Sequence, residues 1–246
     1  MAEYDNRVRS YGATSDVAVD AGLRAYMLRV YNYMLMGLAL SGITAWAVAT
    51  VPQIQALFFQ VNAGGAVGLA PLGWVALFAP FGLVLFLGFR IQQMSLQTAR
   101  TTFWVFAALM GVSIAPVLLA YTGVSVARVF FITAVSFGGL SLYGYTTKRD
   151  LSPFRSFLVM GMWGLFIAMI VNMFLQSSMM MWVTSIIGVG IFAGLTAYDT
   201  QNIKEMYYVG DDGTMAGKKA VMGALRLYLD FINMFMFLMR LLGDRR

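Results

Sequence analysis

The chain contains neither cysteine nor histidine. Without cysteine there are no disulfides, no thiolate nucleophile and no thiolate metal site. Without histidine there is no imidazole base, no Ser-His-Asp triad and no imidazole-ligated metal. Charge is scarce too: Asp, Glu, Lys and Arg make up 11% of the 246 residues, against about a quarter in a soluble domain. So little polar surface cannot face water. What fills the chain is apolar, with 60% hydrophobic residues and a mean hydropathy of +0.73. These residues come in long runs, and about 20 of them as a helix cross a hydrocarbon core of ~30 Å. The expected fold is all-α, a polytopic membrane protein with about seven transmembrane helices, and not a water-soluble enzyme. The net charge of +6, from 17 Lys+Arg against 11 Asp+Glu, fits basic loops on one side of a membrane better than nucleic-acid binding, since no soluble basic domain is present.

The first twenty or so residues are polar, with no apolar segment behind a basic start, so no cleavable signal peptide is expected. Asp20 is placed to cap a short helix, Ala21–Val30, whose Leu23, Met27 and Val30 share a face. This predicts an interfacial helix within a cytoplasmic tail, residues 1–29, leading into one transmembrane domain, residues 30–246. The predicted spans are Tyr31–Thr50, Trp74–Phe89 (starting as early as Leu69), Thr102–Tyr121, Val129–Tyr145, Phe157–Leu175, Met179–Tyr198 and Val221–Met239. Glycines within the spans read as close-packing positions, and Pro80 and Pro116 as kinks or freed carbonyls.

Basic residues orient the chain. With the N-terminus inside, Arg7, Arg9, Arg24, Arg29, Arg90, Arg100, Lys148, Arg149, Arg155, Lys204, Lys218 and Lys219 fall on the cytoplasmic side. Arg128, Arg240, Arg245 and Arg246 fall opposite, which is twelve against four. Seven crossings place the tail Gly243-Asp244-Arg245-Arg246 outside, whereas a re-entrant last segment would return it.

An ionisable side chain within a span is costly, and therefore a candidate for function. Asp199 closes the sixth span and Asp230 lies inside the seventh, one turn after Arg226. These spans are consecutive and antiparallel. Asp199 sits about 7 Å inside Lys204, at ~1.5 Å per residue, and Asp230 sits one turn inside Arg226, so the two carboxylates can meet near one end. Together in a low dielectric they would share a proton rather than both ionise. The plainer alternatives are an Arg226–Asp230 ion pair within one helix and a helix-end role for Asp199. Asn172 and Asn233 read as interhelical hydrogen-bond partners, Asn233 on the face of Asp230.

Four ordered segments resemble the Bax inhibitor-1 family of membrane proteins, in its bacterial branch. They are Phe192-Ala193-Gly194-Leu195-Thr196-Ala197-Tyr198-Asp199-Thr200-Gln201-Asn202-Ile203-Lys204, Gly111–Pro116 through Tyr121-Thr122-Gly123, Ser141–Leu151, and Leu227-Tyr228-Leu229-Asp230-Phe231-Ile232-Asn233. The resemblance runs from about Gly22 to the C-terminus. It implies seven helices with the last one central, a place in the bacterial inner membrane, and a pH-sensitive calcium leak controlled by two aspartates. On that pattern Asp199 and Asp230 form the gate and ion site, and Arg90 is a latch for the first aspartate, with Arg226 and Asn233 as secondary candidates. The uncharged stretch Phe78-Ala79-Pro80-Phe81 departs from members that carry an acid before that arginine.

The leading expectation is therefore a passive calcium leak that needs no cofactor, with the bilayer and calcium as partners. The rival is a regulatory protein that binds and modulates a membrane protease. An enzyme is the remotest reading, because no partner motif accompanies the carboxylates. Since the chain lacks cysteine, topology can be read without background. Ser152→Cys and Gly213→Cys should be labelled by an impermeant thiol reagent only from the cytoplasmic side, and Gly64→Cys only from the other. Labelling of Gly64→Cys from the cytoplasm would reverse the orientation.

Overall fold

Among the described residues, seven helices are long and apolar enough to cross a bilayer, joined by connections too short to form a second layer. The structure, a computed structural model, describes residues 2–61 and 67–246; Gly64 lies outside them. Helix α1 (Ala2–Thr50) contains the first span, Asp20–Thr50. Then come α2 (Pro52–Phe58), the antiparallel strands β1 (Phe59–Val61) and β2 (Val67–Leu69), and α3 (Pro71–Arg90). The remaining spans are α4 (Leu96–Ala120), α5 (Gly123–Thr146), α6 (Arg155–Leu175, after a 3₁₀ turn), α7 (Ser178–Glu205) and α8 (Gly213–Leu242). The expected all-α polytopic architecture is what forms.

Helix starts are set by local chemistry. Ser95, Thr122, Ser177 and Asp212 each accept a hydrogen bond from the backbone N–H three residues on, which caps α4, α5, α7 and α8. Pro52 and Pro71 occupy the first turns of α2 and α3, where no N–H is needed. Pro80 lies inside α3 and leaves the Ala76 carbonyl without its helical donor; Ser113 Oγ of α4 donates to that carbonyl at 2.9 Å. The proline thus becomes a contact between helices.

Two expectations are corrected. Ala21–Val30 is not a separate interfacial helix capped by Asp20, because α1 runs unbroken through it. Its apolar face is real but covers protein: Met27 and Val30 are buried and Leu23 packs against the same core. An apolar stripe reads alike whether lipid or another helix covers it. The re-entrant alternative for the last segment is also set aside. Tyr207, at the start of the α7–α8 connection, packs beside Gly22 and Tyr26 of α1. The C-terminal tail pairs instead with the α4–α5 turn, through Tyr121–Arg245 bridging and Arg128–Asp244 at 2.9 Å. The 30 residues of α8 make it about 45 Å long, enough to cross the bilayer completely.

The centre of the bundle is α8. Of its most apolar window 72% is buried, against 11% to 39% for the other spans. It packs against α1, α4, α5 and α7, while α6 lies outside on α7 and α3 outside on α4. Small residues bring the inner helices close: Gly188 of α7 faces the Phe237 ring, Gly223 of α8 faces Ile203, and Gly144 of α5 lies on the Ala197 backbone of α7. Gly144→Val should lower the unfolding temperature in detergent, because a Cβ there collides with the Ala197 carbonyl; overpacking of this kind costs about 1–3 kcal/mol. Gly139→Val, which points into open space, should leave it nearly unchanged.

Candidate functional site: a carboxylate pair between α7 and α8

Charge enters the apolar interior where the last turns of α7 lie against the middle of α8. Asp230 is only 4% exposed. Its carboxyl group meets that of Asp199, and its Oδ2 has no hydrogen-bond partner among the described residues. The Asp199 side chain is partly reached by solvent, and its Oδ1 lies 3.9 Å from Arg226 Nη1. The same Nη1 donates to Asn202 Oδ1 at 2.8 Å. Both contacts aim the guanidinium across to α7 rather than along α8. Arg155, exposed at the start of α6, adds a second positive charge acting on Asp199.

These positions decide what the pair can do. Two ionised carboxylates side by side in a protein interior repel strongly, and Asp230 has no donor to compensate it. With one proton shared between them, the remaining negative charge is matched by Arg226, the exposed Arg155 being largely screened by solvent, and the cluster is neutral. Losing that proton leaves a net negative site lined with oxygen atoms, the kind of site that attracts a hard cation. Ca²⁺ takes about 6–8 oxygen ligands. Among the described residues no group of three or more His, Cys, Asp or Glu gathers anywhere. Two carboxylates completed by water or carbonyls suit brief residence of an ion better than permanent storage.

Hydroxyl groups tie the neighbouring helices to this region. Tyr31 of α1 bonds Ser141 of α5 at 2.6 Å, and Ser141 bonds Thr200 of α7, the residue after Asp199, at 3.0 Å. Ser41 of α1 donates to the Ala107 carbonyl of α4 at 2.6 Å, which leaves its oxygen to accept from the Tyr228 hydroxyl of α8 at 2.6 Å. Gln201 clasps the α5–α6 connection, accepting from Leu151 N and donating to Arg149 O, both at 2.8 Å. In that connection Ser152 N–H donates to Asp150, which holds this exposed carboxyl below the ordinary range.

Of the residues singled out in the sequence, Asp199, Asp230 and Arg226 come together. Arg226 faces Asp199, so the intrahelical ion pair with Asp230 does not form. Asn233 is not part of the cluster: its amide donates to the Leu229 carbonyl of its own helix at 2.8 Å. Arg90 is not a latch in this structure. It is exposed at the end of α3 and donates to Gln93 Oε1 at 2.8 Å, and α3 packs on α4. Asn202 and the Tyr31–Ser141–Thr200 chain went unread in the sequence. Asn202 falls three residues after Asp199, hence on the same helical face, and that spacing was the available signal.

The family model described as "Inhibitor of apoptosis-promoting Bax1" matches residues 23–246. An uncharacterized protein of Rickettsia prowazekii is 48% identical over 227 residues, covering 92% of each chain. One from Caulobacter vibrioides is 47% identical over 233 residues, covering 94% of this chain and 93% of the other. The inner membrane protein YbhL of Escherichia coli K12 is 42% identical over 228 residues, covering 92% and 94%.

The charge arrangement makes a direct prediction. Arg226→Gln should destabilise the detergent-solubilised protein by about 1–3 kcal/mol, as expected when a buried polar group loses its partner. The loss should be larger at alkaline than at acid pH, because a shared proton lowers the charge left uncompensated. Adding Asp199→Asn should restore much of it, and Arg90→Gln alone should change nothing. Thermal unfolding across pH checks all three.

Proposed function

Because this chain belongs to the Bax inhibitor-1 family of membrane proteins, we propose that it is a passive calcium leak whose gate is the Asp199–Asp230 pair. The observation that carries this reading is the meeting of the two carboxyl groups inside the bundle, where Asp230 has no other polar partner. At low pH the shared proton and Arg226 leave the pair neutral, and α7 and α8 stay closed on each other. As pH rises the proton leaves, the like charges repel, and the site becomes an anionic waypoint for a divalent cation. Arg226, in the position expected of Arg90, is the counter-ion that must be displaced.

The orientation belongs to the same proposal. The end bearing the pair also carries Arg24, Arg29, Arg100, Lys148, Arg149, Arg155, Lys204, Lys218 and Lys219, and this basic excess supports a cytoplasmic position for it, with α8's C-terminus outside. The pair then senses cytoplasmic pH, and the membrane is the bacterial inner membrane, as for the relative whose name states it.

Calcium entry into liposomes containing only the purified chain tests the reading. Leak should rise with pH, and Asp199→Asn and Asp230→Asn should each abolish the pH-dependent step. Together they should do little more than either alone, because they remove the same interaction. A pH step that survives Asp199→Asn would remove the gate.

A further inference from the structure

A second feature lies on the flank of the bundle, where α1 and α5 stand apart and leave a groove of about 930 Å³ with Phe231 of α8 at its floor. Small residues open it: Ala39 and Gly42 on α1, Ala134 and Gly138 on α5. A Cβ at Gly42 or Gly138 would meet nothing within 4 Å. The lining is apolar along most of its length and polar at the end nearer the start of α1, where Arg24, Tyr31, Ser141 and Tyr145 gather. Arg24 is the one charged residue of the lining, and it has no ion-pair partner among the described residues.

Lengths along α1 match this polarity to a bilayer. From Tyr31 to Gly42 the helix rises about 16 Å, at ~1.5 Å per residue, close to half of the ~30 Å hydrocarbon core. Arg24 lies a further 10 Å or so along the axis, at headgroup depth. Hydroxyls at the boundary, a guanidinium beyond them and one leaflet's depth of apolar surface are complementary to a single amphiphile with an anionic head. A guanidinium also suits a phosphate, which it can hold through two parallel hydrogen bonds. The floor is close to the carboxylate pair in the chain: Phe231 follows Asp230, and Ser141 bonds Thr200, which follows Asp199.

We propose that this groove is a binding site for one anionic glycerophospholipid from the leaflet at the basic end, its acyl chain between α1 and α5 and its phosphate on Arg24. The inference is independent of ion conduction, and so is its test. The full-length chain is purified in detergent, stripped of lipid and offered equal amounts of phosphatidylglycerol and phosphatidylcholine, and retained lipid is counted by native mass spectrometry. One phosphatidylglycerol should be retained, with a preference of about tenfold, because phosphatidylcholine offers the same phosphate neutralised by a choline cation that Arg24 repels. Arg24→Gln should reduce the preference to near parity, and Gly138→Trp should abolish retention of either lipid. Should Gly138→Trp not fold, Gly42→Cys can be folded first and then blocked with a bulky maleimide, and the block should release the lipid. Equal retention of both lipids by the wild-type chain, no retention, or retention that survives the block would each overturn the proposal. So would a dimer that dissociates on blocking, which would assign the groove to a second copy of the chain.

Discussion

An isolated negative charge cannot be accommodated at the middle of α8, and the arrangement of the helices around it follows from that. Asp230 lies on the most enclosed helix of the bundle, with one carboxyl oxygen to which nothing among the described residues donates. In this structure the group that meets it is a second acid, with which it can share a proton. The second acid comes from α7, which must therefore run close enough for carboxyl to meet carboxyl. The cation reaches only the outer member of the pair, Asp199, since Arg226 sits one turn nearer the helix start and leans across to α7. The pair is thus asymmetric, with one acid held by a guanidinium and the other by its neighbour alone.

Close approach of α7 to its neighbours is produced by what is missing from side chains. Gly188, Gly144 and Gly223 let an aromatic ring, a backbone strand of helix and a branched side chain fill the space a Cβ would take. In a bilayer, where lipid tails compete equally for apolar surface, such steric fit and interhelical hydrogen bonds hold helices together. The hydroxyl contacts Tyr31–Ser141–Thr200 and Ser41–Tyr228 supply the hydrogen bonds on either side of the pair. The same small residues that allow contact on one face of α5 leave a vacancy on another. Gly144 faces α7, whereas Gly138 opens onto the groove toward α1.

The number of spans and the two acids set within them were legible in the sequence because each leaves a mark that needs no three-dimensional context, whereas the central place of the last helix was implied only by the family resemblance. A charged residue within an apolar run is conspicuous wherever it occurs. What could not be read was rotation. Arg226 is four residues from Asp230, a spacing that fits an ion pair within one helix, and only the packing of α7 on α8 turns it to Asp199 and Asn202. Arg90 carried the opposite ambiguity: an arginine at the end of a span looks the same whether it reaches inward or merely marks the boundary. Its helix packs on α4 and its guanidinium bonds Gln93. The apolar face of Ala21–Val30 was seen correctly, but nothing in it distinguishes protein from lipid.

The position of the core in the chain bears on assembly. The helix that every inner neighbour leans on leaves the ribosome after all of them, and the residues that follow it are those that pair with the α4–α5 turn. Until α8 arrives, α1, α4, α5 and α7 have inserted around an unfilled centre, with hydroxyls such as Ser41 lacking their eventual partner on α8. The interior is complete only once α8 packs against α1, α4, α5 and α7. A chain that stops short of α8 would be a set of spans without an interior, exposed to quality-control proteolysis in the membrane even though every remaining span inserts normally.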